Sequence, residues 1–182
     1  SVSGNTVKLK YVITRQYTPS GKVQLISVPV YQNVSTIGAV TCQAWNGATG
    51  GVLAMDVLGT LYMNDNLEVN GMGFRGGIVN ATVLPYSAAN CGFTNYFTSA
   101  STGNGAMKGE GIALYKSNKE YARGANANGG GGGNQINSGG AGGAGFSLGG
   151  NGGNQMSACP GTVQGGQGGR PCLFSNSSQK VF

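Results

Sequence analysis

The chain has no histidine, so acid–base chemistry would fall to five carboxylates, Asp56, Asp65, Glu68, Glu110 and Glu120. Glycoside hydrolysis is the reaction such a set could perform, since it needs two carboxyl groups roughly 5 to 10 Å apart across a cleft. Asp65 and Glu68 are close enough in sequence, yet they lie in Asn64-Asp-Asn-Leu-Glu68, an Asn-rich turn in which both would be solvated. The same turn offers oxygen ligands to Ca²⁺ but lacks the ligand spacing and the glycine of an EF-hand loop. It reads as a polar turn between two strands. The glycine-rich stretches are no better as phosphate cradles: no Gly-Lys-Ser/Thr opens a helix, and no strand and helix flank a dinucleotide fingerprint. The expectation is a non-enzymatic chain with no catalytic residues, no metal and no cofactor.

Cys42, Cys91, Cys159 and Cys172 are even in number and widely spaced. Without close pairs or histidine they do not resemble a zinc site, and two disulfides are the better reading. Proximity pairs Cys159 with Cys172, around Pro160 and Pro171, and Cys42 with Cys91; the other connectivities stay open. Disulfides imply a secreted or cell-surface protein. Starting at Ser1 with no initiator Met and no apolar leader, the chain reads as processed or excised. Its net charge of +6 is carried by scattered bases, with no two adjacent. That distribution speaks against nucleic acid, which asks for a concentrated basic face, and for diffuse attraction to an acidic cell-surface polysaccharide. No run of about 18 apolar residues is present to span a membrane. Trp45, in Ala44-Trp-Asn-Gly47, reads as the cover on the end of a β-stack, with stacking on a sugar as the functional alternative.

The elements that would position these residues are all-β. Val7, Leu9, Tyr11 and Ile13 alternate with Lys8, Lys10 and Thr14, the period of a strand with one buried face. Near a free terminus, such a strand could also insert into a neighbouring copy as an inter-subunit joint. Val23 to Tyr31 follows as a strand whose Pro29 makes it an edge strand or ends it in a bend. From Gly50 the spacing tightens into short apolar strands, 51–58, 59–63 and 66–71, separated by one to three turn residues. These read as successive sides of a parallel β-helix or solenoid, with a jelly-roll β-sandwich as the alternative. Ile78 to Leu84 reads as a further strand, and 108–123 has the one helix-like composition in the chain, though without helical spacing.

Glycine makes up 36 of 182 residues, far above the usual share of about 7%. Most of the excess lies beyond residue 124, which divides the chain into a β-rich domain, 1–123, and a glycine-rich segment, 124–182, ending in a disulfide-closed loop. Gly139, Gly140, Gly142, Gly143 and Gly145 fall into a three-residue period, and so do Gly149, Gly150, Gly152 and Gly153. Three residues per turn is the repeat of an extended left-handed helix without internal hydrogen bonds. Such helices side by side satisfy one another's amides only where glycine keeps the contact faces bare. The tract is therefore expected to be polyglycine-II-like or, failing that, a loop.

Gly50-Gly-Val-Leu-Ala-Met-Asp-Val-Leu-Gly-Thr-Leu61, Val69-Asn-Gly-Met-Gly-Phe-Arg-Gly-Gly77, Gly109-Glu-Gly-Ile-Ala113 and Tyr121-Ala-Arg-Gly-Ala125 precede the glycine tract in that order. The order resembles the glycine-rich module of large bacterial surface and adhesin-type proteins, over roughly residues 23 to 154. The resemblance implies an exported, non-enzymatic surface protein with a β-helical part. Such modules usually sit inside very long proteins, so a chain this short points to a repeating unit. Charged residues are 9% of the chain, which leaves a surface of Asn, Ser, Thr, Gln and Gly with little self-repulsion and so favours association with copies of itself. The expectation is a self-assembling structural subunit of a bacterial extracellular fibre or surface layer; the alternative is an adhesin or carbohydrate-binding module.

Overall fold

A computed structural model of the chain describes residues 2–9, 12–13, 16, 23–79, 95–99, 105–134, 138–145, 147–154 and 165–171. Among them there is no helix, and each of the six strands is two residues long. The first two, β1 (Val2–Ser3) and β2 (Thr6–Val7), form an antiparallel hairpin. Gly4, at φ 54°, makes the turn. Of the four alternating residues, Val7 alone is in a strand; Leu9 and Ile13 are exposed outside one, and Tyr11 lies outside the described residues. The alternation over Val7–Ile13 thus produces no long strand among the described residues. A local turn pairs Val7 with Val2 instead.

The next four strands are joined in parallel. β3 (Val30–Tyr31) pairs with β5 (Asp56–Val57), and β4 (Val34–Ser35) with β6 (Leu61–Tyr62). A bridge between Val40 and Leu67 and a hydrogen bond from Trp45 N to Met72 O continue the same alignment. Residues 24–45 therefore run alongside 50–72. The register shifts by one residue between Tyr31↔Val57 and Val34↔Leu61, and Gly59 absorbs the shift. Its amide bonds Gln32 O at 2.7 Å, and a Cβ there would lie 2.5 Å from both Gln32 O and Asn33 Oδ1, so only glycine fits this bulge. Thr36, 2% exposed, accepts the Asn64 and Asp65 amides at 2.8 Å each and shapes the polar turn.

The second part of the fold has almost no side-chain interior. Ala122 is the sole fully buried apolar residue among those described. Buried around it are Gly105, Gly124, the run Gly129 to Gly133, Gly165, Gly166 and Gly169. Six extended segments, 105–111, 120–127, 128–134, 138–145, 147–154 and 165–171, lie side by side and exchange backbone hydrogen bonds of about 2.7–3.0 Å. Successive segments run in opposite directions, while 165–171 runs parallel to 120–127 and to 138–145.

The bonds recur every third residue. Gly139 and Gly142 donate to Gly153 and Gly150, whereas Ala141 and Ala144 donate to Gly131 and Asn128. In the last segment Gly166 and Gly169 donate to Gly139 and Gly142, and Gln167 and Arg170 to Arg123 and Ala127. Gly165 and Gly168 donate to the side-chain oxygens of Asn154 and Asn151 at 2.9 and 2.8 Å. Each third of that segment thus faces a different neighbour. None of the described glycines from Gly73 to Gly169 adopts a positive φ, so glycine serves here by lacking a side chain. An ideal Cβ on Gly131 would fall on the carbonyl of Arg123, and one on Gly166 on that of Gly131. A net backbone bond contributes about 0.5 to 1.5 kcal/mol, against roughly 1 to 2 kcal/mol to order a residue. A glycine interior therefore holds only where nearly every amide is bonded.

Residues 105–123 belong to this network: Ala106 bonds Gly133, Gly109 bonds Gly130, and Gly132 bonds Ala122. The bonds cross the composition boundary between residues 123 and 124. The stretch with helix-like composition is two extended arms joined by a turn, in which Lys119 N bonds Lys116 O and Asn118 takes φ 65°. Ile78 and Val79 are exposed outside any strand, and 80–84 lie outside the described residues.

Candidate functional site

The site forms where the parallel-paired stretches 24–45 and 50–72 meet the glycine segments, and three of the sequence motifs converge on it. Gly73-Phe-Arg-Gly-Gly77 follows the second of these stretches. Gly109-Glu-Gly111 belongs to the first glycine segment. Between them Arg75 and Glu110 form a two-pronged ion pair, Nη2 to Oε1 at 2.6 Å and Nε to Oε2 at 3.0 Å. The Glu110 amide bonds Arg75 O at 2.9 Å, and the Arg75 amide bonds Glu110 Oε2 at 3.1 Å. Gly77 is required at this crossing, because a Cβ would run into the Met107 carbonyl.

Glu110 Oε2 also accepts the indole N–H of Trp45 at 2.8 Å, which fixes the ring. Phe74 meets that ring edge to face, with centroids 5.0 Å apart and planes at 80°. The two aromatics open into a cavity of about 390 Å³, whose other walls include Ile112, Leu114, Gln24 and Asn128. Among the described residues no charged side chain lines it. Both amide groups are held: Gln24 Oε1 accepts Gly50 N at 2.5 Å, and Asn128 Oδ1 accepts Ile112 N at 2.7 Å. Gly50 and Gly51, at φ 101° and 75°, turn the chain tightly beneath the indole.

Electrostatics hold the junction together. The Arg75 guanidinium holds the Glu110 carboxyl at about 2, well below its ordinary value, with the backbone and indole donors adding to the effect. Deeper in the bundle, Lys108 is 4% exposed, and its ammonium donates to the carbonyls of Tyr96 and Gly124. Burial pulls its pKa down to about 8.

The other residues singled out from the sequence lie elsewhere. Asp65 accepts the Asn66 amide and Glu68 the Asn70 amide, so each carboxylate closes its own turn. No group of three or more metal-ligating side chains occurs among the described residues. Cys42 is half-buried with a free thiol. Cys91, Cys159 and Cys172 lie outside the described residues, and with them the expected Cys159–Cys172 cross-link; the free thiol of Cys42 does not carry the expected link to Cys91. Of the periodic glycines, Gly149 and Gly152 are closed by the carbonyls of Gly142 and Gly139, and Gly139 and Gly143 are tight at 3.0 and 3.2 Å. Gly140 and Gly142 have room at 3.6 and 3.5 Å, while Gly145, Gly150 and Gly153 have open space. Phe74 and Arg75 enter the sequence reading only as letters of a glycine motif, and Glu110 as a motif letter and one of five carboxylates. Their signal is a base and an acid, each flanked by glycine, in a chain poor in charge.

Compared with protein-family models, curated proteins and solved structures, the chain matches none.

Proposed function

We propose that the chain is a non-enzymatic extracellular recognition module, the adhesin-type alternative of the sequence reading, in which a bundle of polyglycine-II-type segments carries a pocket for a neutral sugar. One observation carries this reading: Trp45 and Phe74 form an edge-to-face pair open to a cavity of about 390 Å³ that no charged side chain among the described residues lines. Aromatic faces stack on the C–H faces of sugars, and amide side chains at the rim suit hydroxyl groups. The glycine tract supports the same reading. Its amides bond within the chain, so it serves as a stiff carrier. The parallel alignment of 24–45 with 50–72 supports two laps of a β-solenoid and is foreign to a jelly roll, whose strands are antiparallel.

Titration of neutral oligosaccharides followed by indole fluorescence tests the reading. The expected result is a saturable change that Phe74→Ala weakens roughly three- to tenfold, the worth of one aromatic contact. Binding that is indifferent to Phe74, or none across a broad glycan panel, would remove the pocket from consideration.

The fibre or surface-layer subunit is the second reading, favoured by the apolar side chains that stretches 24–45 and 50–72 expose. Leu25, Leu58 and Ile37 are 70%, 71% and 96% exposed, a surface that copies of the chain could cover.

A further inference from the structure

Away from the aromatic pocket, the glycine bundle has a polar cleft of about 400 Å³ along segments 147–154 and 165–171. Arg123 and Arg170 line it, together with Leu148, the amides Asn151, Asn154 and Gln167 and several glycines; among the described residues no carboxylate does. We propose that this cleft binds an oxyanion, the carboxylate or sulfate group of an acidic polysaccharide.

Arg123 carries the argument. It is only 9% exposed, and its Nε has no hydrogen-bond partner. The backbone is held on both sides: its amide bonds Asn134 Oδ1 at 3.1 Å and its carbonyl accepts Gln167 N at 2.7 Å. Its guanidinium lies over the Tyr96 ring, 4.8 Å from the centroid. A buried cation with a free donor is costly unless an anion answers it, and the ring supplies none. The neighbouring side chains complete a donor-rich wall. Asn151 and Asn154 spend their Oδ1 atoms on Gly168 N and Gly165 N, which leaves both –NH₂ groups as donors. Arg170 is exposed, and its backbone amide bonds Ala127 O. Guanidinium forks and amide N–H groups match planar carboxylates and sulfate esters.

Isothermal titration of the intact chain with oligogalacturonate, dextran sulfate, neutral dextran and sodium sulfate tests the site. Oligogalacturonate or dextran sulfate is expected to bind with an affinity that falls as salt rises. Arg170→Gln and Asn151→Asp should each weaken binding at least tenfold without moving the melting temperature, since aspartate keeps the oxygen that Gly168 needs. Lys116→Gln, exposed and outside the cleft, should leave it unchanged. Equal losses in Lys116→Gln and Arg170→Gln would mean diffuse charge attraction and overturn the site, as would full affinity in Asn151→Asp. Sodium sulfate binding as tightly as the polymers would overturn the polysaccharide assignment.

Discussion

Glu110 joins the two halves of the molecule with one carboxylate that accepts from Arg75 and Trp45. Its folded pKa, about 2, lies below its ordinary value. The stability it adds is therefore full above the ordinary carboxylate range and is lost as the pH falls toward 2. Melting temperature measured from pH 5 to pH 2 should drop in the native chain and drop less in Glu110→Gln; parallel curves would deny the pair a role. Lys108 acts with the same pH sense at the other end of the scale, there as a cost of burying the charged form. Its folded pKa, about 8, is below the unfolded value, so the unfolded chain holds more protons between the two. Stability should therefore rise from pH 8 toward pH 10 relative to a Lys108→Met variant. A difference that stays constant over that range would show that the lysine keeps its ordinary pKa. Neither role was legible in the sequence: Arg75 and Glu110 are separated by 35 positions, and nothing local distinguishes Lys108 from a solvated lysine.

The glycine segments differ position by position in what they tolerate. A Cβ at Gly149 or Gly152 would strike a facing carbonyl, while Gly150 and Gly153 look onto open space. Alanine at either of the first two should destabilise the chain by about 1 to 3 kcal/mol, as overpacking does. Alanine at Gly150 or Gly153 should stay within about 0.5 kcal/mol. Chemical denaturation of the four variants checks this, and four equal midpoints would refute the close packing. The three-residue period at Gly139–Gly145 and Gly149–Gly153 was visible in the sequence, and the hydrogen bonds recur at that interval. Which members face a neighbour was not, because a glycine has no side chain to reveal its orientation. The most enclosed run, Gly129 to Gly133, shows no period at all, since an unbroken row of one residue type has no phase. At the N-terminus Val7, Leu9 and Ile13 alternate cleanly, whereas the strand pairing of that segment joins Val2–Ser3 to Thr6–Val7 across a turn at Gly4.

Across the described residues, apolar side-chain burial is largely replaced by backbone bonding. The described residues bury one apolar side chain completely, yet ten glycines are buried together and bonded in several directions. A structure held this way gains stiffness from exact spacing of amides and keeps its apolar and aromatic side chains at the surface, where they are free to contact ligands or other chains. Amide hydrogen exchange by NMR tests that principle most directly, in the segment 138–145. Gly139, Ala141, Gly142 and Ala144 donate to neighbouring segments and should exchange slowly; Gly140 and Gly143, exposed and without such bonds, should exchange fast. Uniformly rapid exchange across the segment would contradict a bonded glycine interior.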